Sequence, residues 1–297
     1  MQKKLILKTP AKINLYLKIL GKRADGFHHL SSLMQMIGLY DQLSFQETEG
    51  DIQLYVEKGV LAADSTNLVV QAAERLQKEM LAESLPLKGA TIALTKNIPV
   101  SAGLGGGSSD GAATFMALNR LWALHWPLEK LAKLGAELGS DLPFFFSGPT
   151  AWVSGRGELV EAIKPIIEGW ILLVHPNVAV STASVFDEYS KKAGLTKEIT
   201  EASISKSFAQ RPETGEILDI PKNDLEEVAL TLFPQLIEVK EDIRSIGGKA
   251  VLMSGSGSSF FSIFKNRERA RGVGQQICQK HGYQVCIVPV LQRSPFN

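Results

Sequence analysis

Cysteine is scarce. Two residues, Cys278 and Cys286, stand in a chain of 297, too few to staple so long a sequence. A disulfide framework is therefore excluded, and both thiols read as buried groups in apolar surroundings. Histidine is also rare, at five, and shows no metal-ligand spacing. His28 and His29 are adjacent, so on a strand they would point to opposite faces; no protein-held metal centre is expected. Long apolar runs are missing. The opening MQKKLILKTP holds three consecutive apolar residues, too few for the core of a secretory signal. Nothing approaches the ~18 residues that cross a bilayer, so a cytoplasmic protein is expected. Neither charge is in excess: 32 Lys and Arg face 31 Asp and Glu, for a net charge of +1. That leaves no electrostatic footprint for nucleic acid or an anionic membrane. What remains is 44% hydrophobic and 21% charged, an ordinary globular composition in a chain long enough for about two domains. No partner protein is signalled, and a monomer or homodimer is expected.

Against these absences stands the run PVSAGLGGGSSDGAA, residues 99–113. Four glycines fall within five positions (Gly103, Gly105, Gly106 and Gly107), followed by Ser108, Ser109 and Asp110. Ala113, Met116, Ala117 and Leu121 then recur at helical spacing. A glycine-rich loop feeding a helix N-terminus offers unpaired amides and partial positive charge, and lets a polyanion approach the backbone without Cβ obstruction. These residues predict a phosphate cradle. A bare turn needs one or two glycines rather than four, each costing folding entropy. Two familiar phosphate patterns are missing: no lysine follows the glycines as in GxxxxGK[ST], and Ser108 stands where GxGxxG has its third glycine. Nor does a strong strand immediately precede the loop; Lys96, Asn97 and Pro99 intervene after a short apolar stretch, Ala90 to Leu94.

Along the chain, residues 12–19 alternate with period two. Ile13, Leu15, Leu17 and Ile19 share one face, and Lys12, Asn14, Tyr16 and Lys18 the other, which predicts a half-buried strand. Leu33 to Leu39, Gln42 to Gln46 and Ile52 to Val56 read as further strands, with Tyr40-Asp41 as a turn. Helices are expected over Asn67 to Met80, around Leu131, Leu134 and Leu138, and at Ala183 to Lys191, Asp224 to Leu232, Gln235 to Ile246 and Asn266 to Lys280. Strands are expected at Trp170 to Val174, Ala250 to Met253, Ser259 to Phe264 and Gln284 to Val290. The polar stretch 195–222, with Pro212 and Pro221, reads as a surface excursion. A domain boundary is expected between Gly155 and Gly169, dividing the chain into 1–163 and 164–297. Strands and helices mix without a regular βαβ beat, so the fold class is α+β.

The glycine loop resembles the second motif of the GHMP kinases, and its triple glycine with SSD is closest to the diphosphocytidyl-methylerythritol kinases of that family. Further segments carry the resemblance: PAKINL at residues 10–15, RADGFHHL at 23–30, GSDLPFF at 139–145, HPNVAVSTASVF at 175–186 and LMSGSGSSFF at 252–261. By themselves these residues have ordinary readings. Lys12 is a lysine on a solvated strand face, and Asp141 caps a helix. Gly26-Phe27-His28 is a turn with an apolar plug, and Phe186 is a core residue of a helix.

The resemblance implies more. It implies an N-terminal ribosomal-protein-like α+β domain, a C-terminal ferredoxin-like domain and a site in the cleft between them. ATP would be bound by Pro99, Val100, Ser101, Ala102, Gly103, Leu104, Gly105, Gly106, Gly107, Ser108 and Ser109, with Asn67 and Lys96 near the nucleotide. Mg²⁺ would bridge the phosphates with help from Ser108 or Ser109. Asp141 would be the catalytic base and Lys12 its cationic neighbour. Asn14 would hold substrate, Phe27 and Phe186 would clamp a cytosine, His28 would read its polar edge, and Thr182 would touch substrate. Phe27 replaces the family's usual tyrosine, so a hydroxyl contact is lost while the stacking face is kept. The activity implied is phosphorylation of the 2-hydroxyl of a cytidyl diphosphate of methylerythritol. Two alternatives are a kinase of homoserine, a sugar or mevalonate, and a catalytically silent nucleotide-binding relative.

Overall fold

The computed structural model describes residues 4–58, 61–194, 212 and 222–296; the expected excursion at 195–222 lies almost wholly outside them. Two sheets form the frame. The first has seven strands. β1 (Lys4–Lys22) and β2 (His28–Thr48) form a long antiparallel pair at its centre. β4 (Gly89–Thr95) extends one half of β2 and carries the parallel β3 (Ile52–Lys58). β5 (Thr150–Gly155) and β6 (Leu159–Ala162) extend the other half. The second sheet has the order β11-β7-β10-β9 and is antiparallel: β7 (Trp170–His175), β9 (Leu252–Met253), β10 (Phe260–Phe264) and β11 (Gln284–Pro289). With helices between β7 and β9 and one between β10 and β11, the chain order is the βαββαβ of a ferredoxin-like unit. The α+β expectation holds.

Three readings are corrected. First, β1 does not keep one face. Leu15 is an extra residue between the pairs Asn14↔Met34 and Tyr16↔Leu33, and such a bulge moves every later side chain to the opposite face. Ile13 and Leu15 pack with Leu173 and Phe261 of the second sheet, whereas Leu17 and Ile19 join the helical core. Lys12 and Asn14 are buried, not solvated. Second, Tyr40-Asp41 is not a turn. β2 runs through it, absorbing Gly38 and Leu39 as a bulge between Pro10↔Tyr40 and Ala11↔Ile37. Gly38 is needed there, because a Cβ would lie 2.7 Å from the Pro289 ring at the end of β11. Third, Cys278 is exposed rather than buried; the short apolar stretch Ala90 to Leu94 belongs to β4, paired on both edges, and Lys96, Asn97 and Pro99 do separate it from the glycine loop.

The helices follow their caps and apolar spacing. α1 (Leu68–Ala82) starts where the Asn67 side chain accepts from the Val69 amide, and buries Val69, Ala72, Ala73, Leu76 and Met80. α2 (Gly106–Leu121) is built of small residues on its buried face, so it lies close against β1 and α1. α3 (Leu128–Leu138) ends at Gly139, and the short α4 (Leu142–Ser147) follows with Pro143 in its first turn. α5 (Thr182–Lys192), α6 (Glu226–Leu232), α7 (Gln235–Ser245) and α8 (Arg267–His281) belong to the second half. The two halves interlock. β8 (Lys222–Asn223) returns to pair in parallel with β1, and Ile37 bridges to Val290. No described helix is long and apolar enough to cross a membrane.

Candidate active site

A cleft of about 770 Å³ opens between the two halves. Its floor is the glycine loop. α2 begins at Gly106, so two of the four glycines already belong to its first turn. Gly105 takes the left-handed conformation (φ +66°) as N-cap, and no side chain caps the helix. The first-turn amides are thus left for a ligand, with the positive end of the helix dipole behind them. Gly103 and Gly105 are steric necessities. A Cβ on Gly103 would lie 1.9 Å from the Ser254 carbonyl oxygen, and one on Gly105 would lie 2.8 Å from Lys12 Cγ. All residues from 99 to 108 line the cleft.

Facing the loop, β1 presents Lys12 and Asn14. The Lys12 ammonium donates to Asn14 Oδ1 at 2.7 Å and stands 3.4 Å from Asp141 Oδ2. Asn14 is oriented in turn by Ser32: its Nδ2 donates to Ser32 Oγ, which donates to the Tyr16 carbonyl. Asp141 is the residue before α4, yet its side chain makes no capping hydrogen bond. The carboxylate remains available in the cleft beside an ammonium. The backbone N–H of Lys12 donates to Leu104 O at 2.9 Å, tying the lysine's strand to the glycine loop.

At the other end of the cleft lie Phe27, His28, Thr182 and Phe186. The His28 and Phe186 rings sit 5.1 Å apart, and Phe27 is about half exposed at 48%. Burial is the main cause that pushes the His28 pKa down, with Lys22 adding to it and Asp187 opposing, which favours the uncharged imidazole. Ser190 Oγ donates to the Phe186 carbonyl and lies 2.6 Å from His28 Nε2. Thr182 Oγ1 bonds Ser256 Oγ at 2.8 Å, which places the 252–261 segment beside these residues.

Lys96 also reaches the cleft, but its ammonium is committed. It lies between the buried carboxylates of Asp41 and Asp110, donating to Asp110 Oδ2 at 2.9 Å. Asp41 Oδ1 further accepts the Asn97 and Ile98 amides, and Asp110 Oδ1 accepts from the Thr9 hydroxyl. Burial raises the Asp110 carboxyl to about 7 despite Lys96. The two carboxylates hold Lys96 protonated, against the opposing pull of burial. This cluster braces the loop from beneath: a Cβ on Gly106 would stand 3.1 Å from Lys96 Nζ.

Two expected residues fall outside the cleft lining. Asn67 uses both ends of its amide locally, accepting from Val69 N and donating to Ala62 O. Ser109 points away, and its Oγ is buried without a hydrogen-bond partner. The remaining expected site residues all line the cleft. Sequence reasoning missed Arg156, which lines the cleft from the β5–β6 turn, and the carboxylates that hold Lys96. An aspartate inside the Gly/Ala-rich face of α2 was the available signal for Asp110.

Family models for the GHMP kinases N terminal domain and the GHMP kinases C terminal match residues 67–149 and 209–284. The 4-diphosphocytidyl-2-C-methyl-D-erythritol kinase of Syntrophus aciditrophicus is 42% identical over 264 residues, covering 89% of this chain and 91% of the relative. The enzyme of the same name from Shouchella clausii is 38% identical over 271 residues, covering 90% and 88%. A crystal structure of a 4-(cytidine 5'-diphospho)-2C-methyl-D-erythritol kinase superposes with a TM-score of 0.73 at 30% identity, covering 96% of this chain and 99% of the other.

Proposed function

This chain belongs to the GHMP kinase family, and we propose that it transfers the γ-phosphoryl group of ATP to the 2-hydroxyl of 4-diphosphocytidyl-2-C-methyl-D-erythritol, a step of the non-mevalonate route to isoprenoid precursors. The observation that carries this reading is the Lys12–Asp141 pair across from the glycine loop, in one cleft with Phe27, His28 and Phe186.

Phosphoryl transfer asks the protein for positioning, charge neutralisation and a place for the hydroxyl proton. The acceptor oxygen bonds the γ-phosphorus as the bond from that phosphorus to ADP's leaving oxygen breaks, and Asp141 takes the acceptor's proton. Lys12, held by Asn14 and 3.4 Å from Asp141, stabilises the alkoxide as it forms. The loop 99–108 and the first turn of α2 bind the phosphates of ATP. The residues fit a phosphate-borne Mg²⁺ at one point: Ser108, which lines the cleft, would hold it, whereas Ser109 faces away. When bound, the ion supplies positive charge to the phosphates. Lys96 acts from beneath the loop rather than on the nucleotide directly, and Asn67 sets the start of α1.

Phe27 and Phe186 would hold the cytosine, and His28 would read its polar edge. Thr182 would touch the same substrate. The division at 163/164 is supported by β6 ending at Ala162 and β7 opening the second sheet at Trp170. ATP as donor and two free thiols among the described residues support a cytoplasmic setting. The test is ADP release in a coupled assay with the cytidyl diphosphate, homoserine and mevalonate in parallel. Turnover of the first alone is expected. Turnover of either other substrate without the first overturns the substrate, and no ATP-dependent turnover of any substrate favours a silent relative.

A further inference from the structure

The proposed substrate carries its negative charge in the middle, in a diphosphate between the base and the polyol. Three cationic side chains line the cleft: Lys12, Lys96 and Arg156. Lys12 is paired with Asp141, and Lys96 sits between two carboxylates. Arg156 makes no ion pair with a carboxylate among the described residues. Its side chain donates from Nη2 to the Ala136 carbonyl at the end of α3, and its guanidinium lies over the Phe27 ring, 5.1 Å from the centroid. Asp25 is within electrostatic reach but is already gripped by Arg23 through three contacts of 2.8–3.0 Å. Glu158 accepts from the Arg156 backbone amide at 2.7 Å.

The position of Arg156 matters as much as its free charge. It leads from the base clamp to the reacting end. On one side is Phe27. On the other, the next residue, Gly157, packs so closely on Ser140 that a Cβ would lie 2.9 Å from Ser140 Cβ, and Ser140 precedes Asp141. The turn is fixed by two glycines with positive φ, Gly155 at +68° and Gly157 at +128°, and by the Glu158 contact. A guanidinium keeps further N–H donors in a planar fork suited to phosphate oxygens.

The geometry points to Arg156 as the residue that binds the diphosphate of the cytidyl substrate, between the aromatic clamp and Asp141. The inference rests on the proposed substrate. The two fail separately, because wild-type turnover of the cytidyl diphosphate is measured in the same experiment.

In steady-state assays of the full chain, Arg156→Ala should raise KM for the cytidyl diphosphate by about 10- to 100-fold, the loss of a charge-assisted contact. Its kcat and its KM for ATP should stay within about threefold. Arg156→Lys should recover part of the loss, since it keeps the charge without the fork, and it serves if the alanine variant folds poorly. Competition by cytidine and by cytidine diphosphate gives a second readout. The wild type should prefer the diphosphate; Arg156→Ala should narrow that preference, whereas Phe27→Ala should weaken both competitors together. The inference is overturned by an unchanged KM in Arg156→Ala, by equal loss of cytidine and cytidine diphosphate, or by a matching rise in KM for ATP. If the wild type itself does not turn over the cytidyl diphosphate, it is the substrate reading that falls.

Discussion

A lysine buried to 4% exposure is costly unless its charge is answered. Lys12 is answered twice, by the neutral oxygen of Asn14 and by the carboxylate of Asp141. The pair therefore has a physical reason to persist without ligand, and in the proposed reaction it would take the acceptor's proton and steady the alkoxide. Asp141→Asn should lower kcat by about 10²–10⁴ with KM for ATP nearly unchanged; a kcat above about a third of wild type refutes the assignment of the base. Asp110 gives a second residue-scale prediction, on stability. Its carboxyl is raised from 3.8 to about 7 in the folded protein, chiefly by burial. The native state therefore holds this proton over a pH range in which the unfolded chain has released it. Stability contributed by the group should fall as pH rises from about 4 to about 7. Asp110→Asn should flatten that part of a denaturation-versus-pH profile, and an unaltered slope would discount the shift.

Elements decide how residues reach the cleft, and here the sequence was only partly readable. The glycine loop, α1, α3, α5, α8 and the strands of the second sheet follow from local pattern, because each carries its own cap or apolar period. The bulge at Leu15 does not. Alternation continues through it in the sequence, and only the pairing with β2 reveals that one residue is left over. Tyr40-Asp41 misled because aspartate commonly marks turns, whereas Asp41 is held in the ladder by Lys96 and two amides. β5 and β6 lacked a clear period because β5 is buried on both faces. Lys12, Asp141, Phe27 and His28 drew their roles from family resemblance. Their individual residues had blander readings, and only their meeting in one cleft favours the functional one. At this scale Gly103→Ala should disable the loop: with φ +75° and the Ser254 carbonyl 1.9 Å from the added atom, the segment must move. A KM for ATP raised about tenfold or more, or a lowered melting temperature, is expected; wild-type values of both would deny the close contact.

For the whole molecule, the site exists because two sheets share a seam. Asn223, in β8 on the edge of the first sheet, donates from Nδ2 to the carbonyls of Met253 and Gly255 and accepts the Leu225 amide. Each buried carbonyl left without its partner costs about 1–3 kcal/mol, so Asn223→Ala should destabilise the fold by at least that amount in a urea titration. It should still melt in one transition if the sheets unfold together; two separated transitions would mark them as independent units.

The same seam limits how such a chain can be rebuilt. Gly103 and Ser254 are 151 positions apart, yet the backbone of each occupies the space a side chain of the other neighbourhood would need. A chimera that joins the first half of this protein to the second half of a relative inherits one wall of that contact from each parent. Recombination breakpoints between the halves will yield active hybrids only when the glycine loop and the 252–261 turn are exchanged as a matched set.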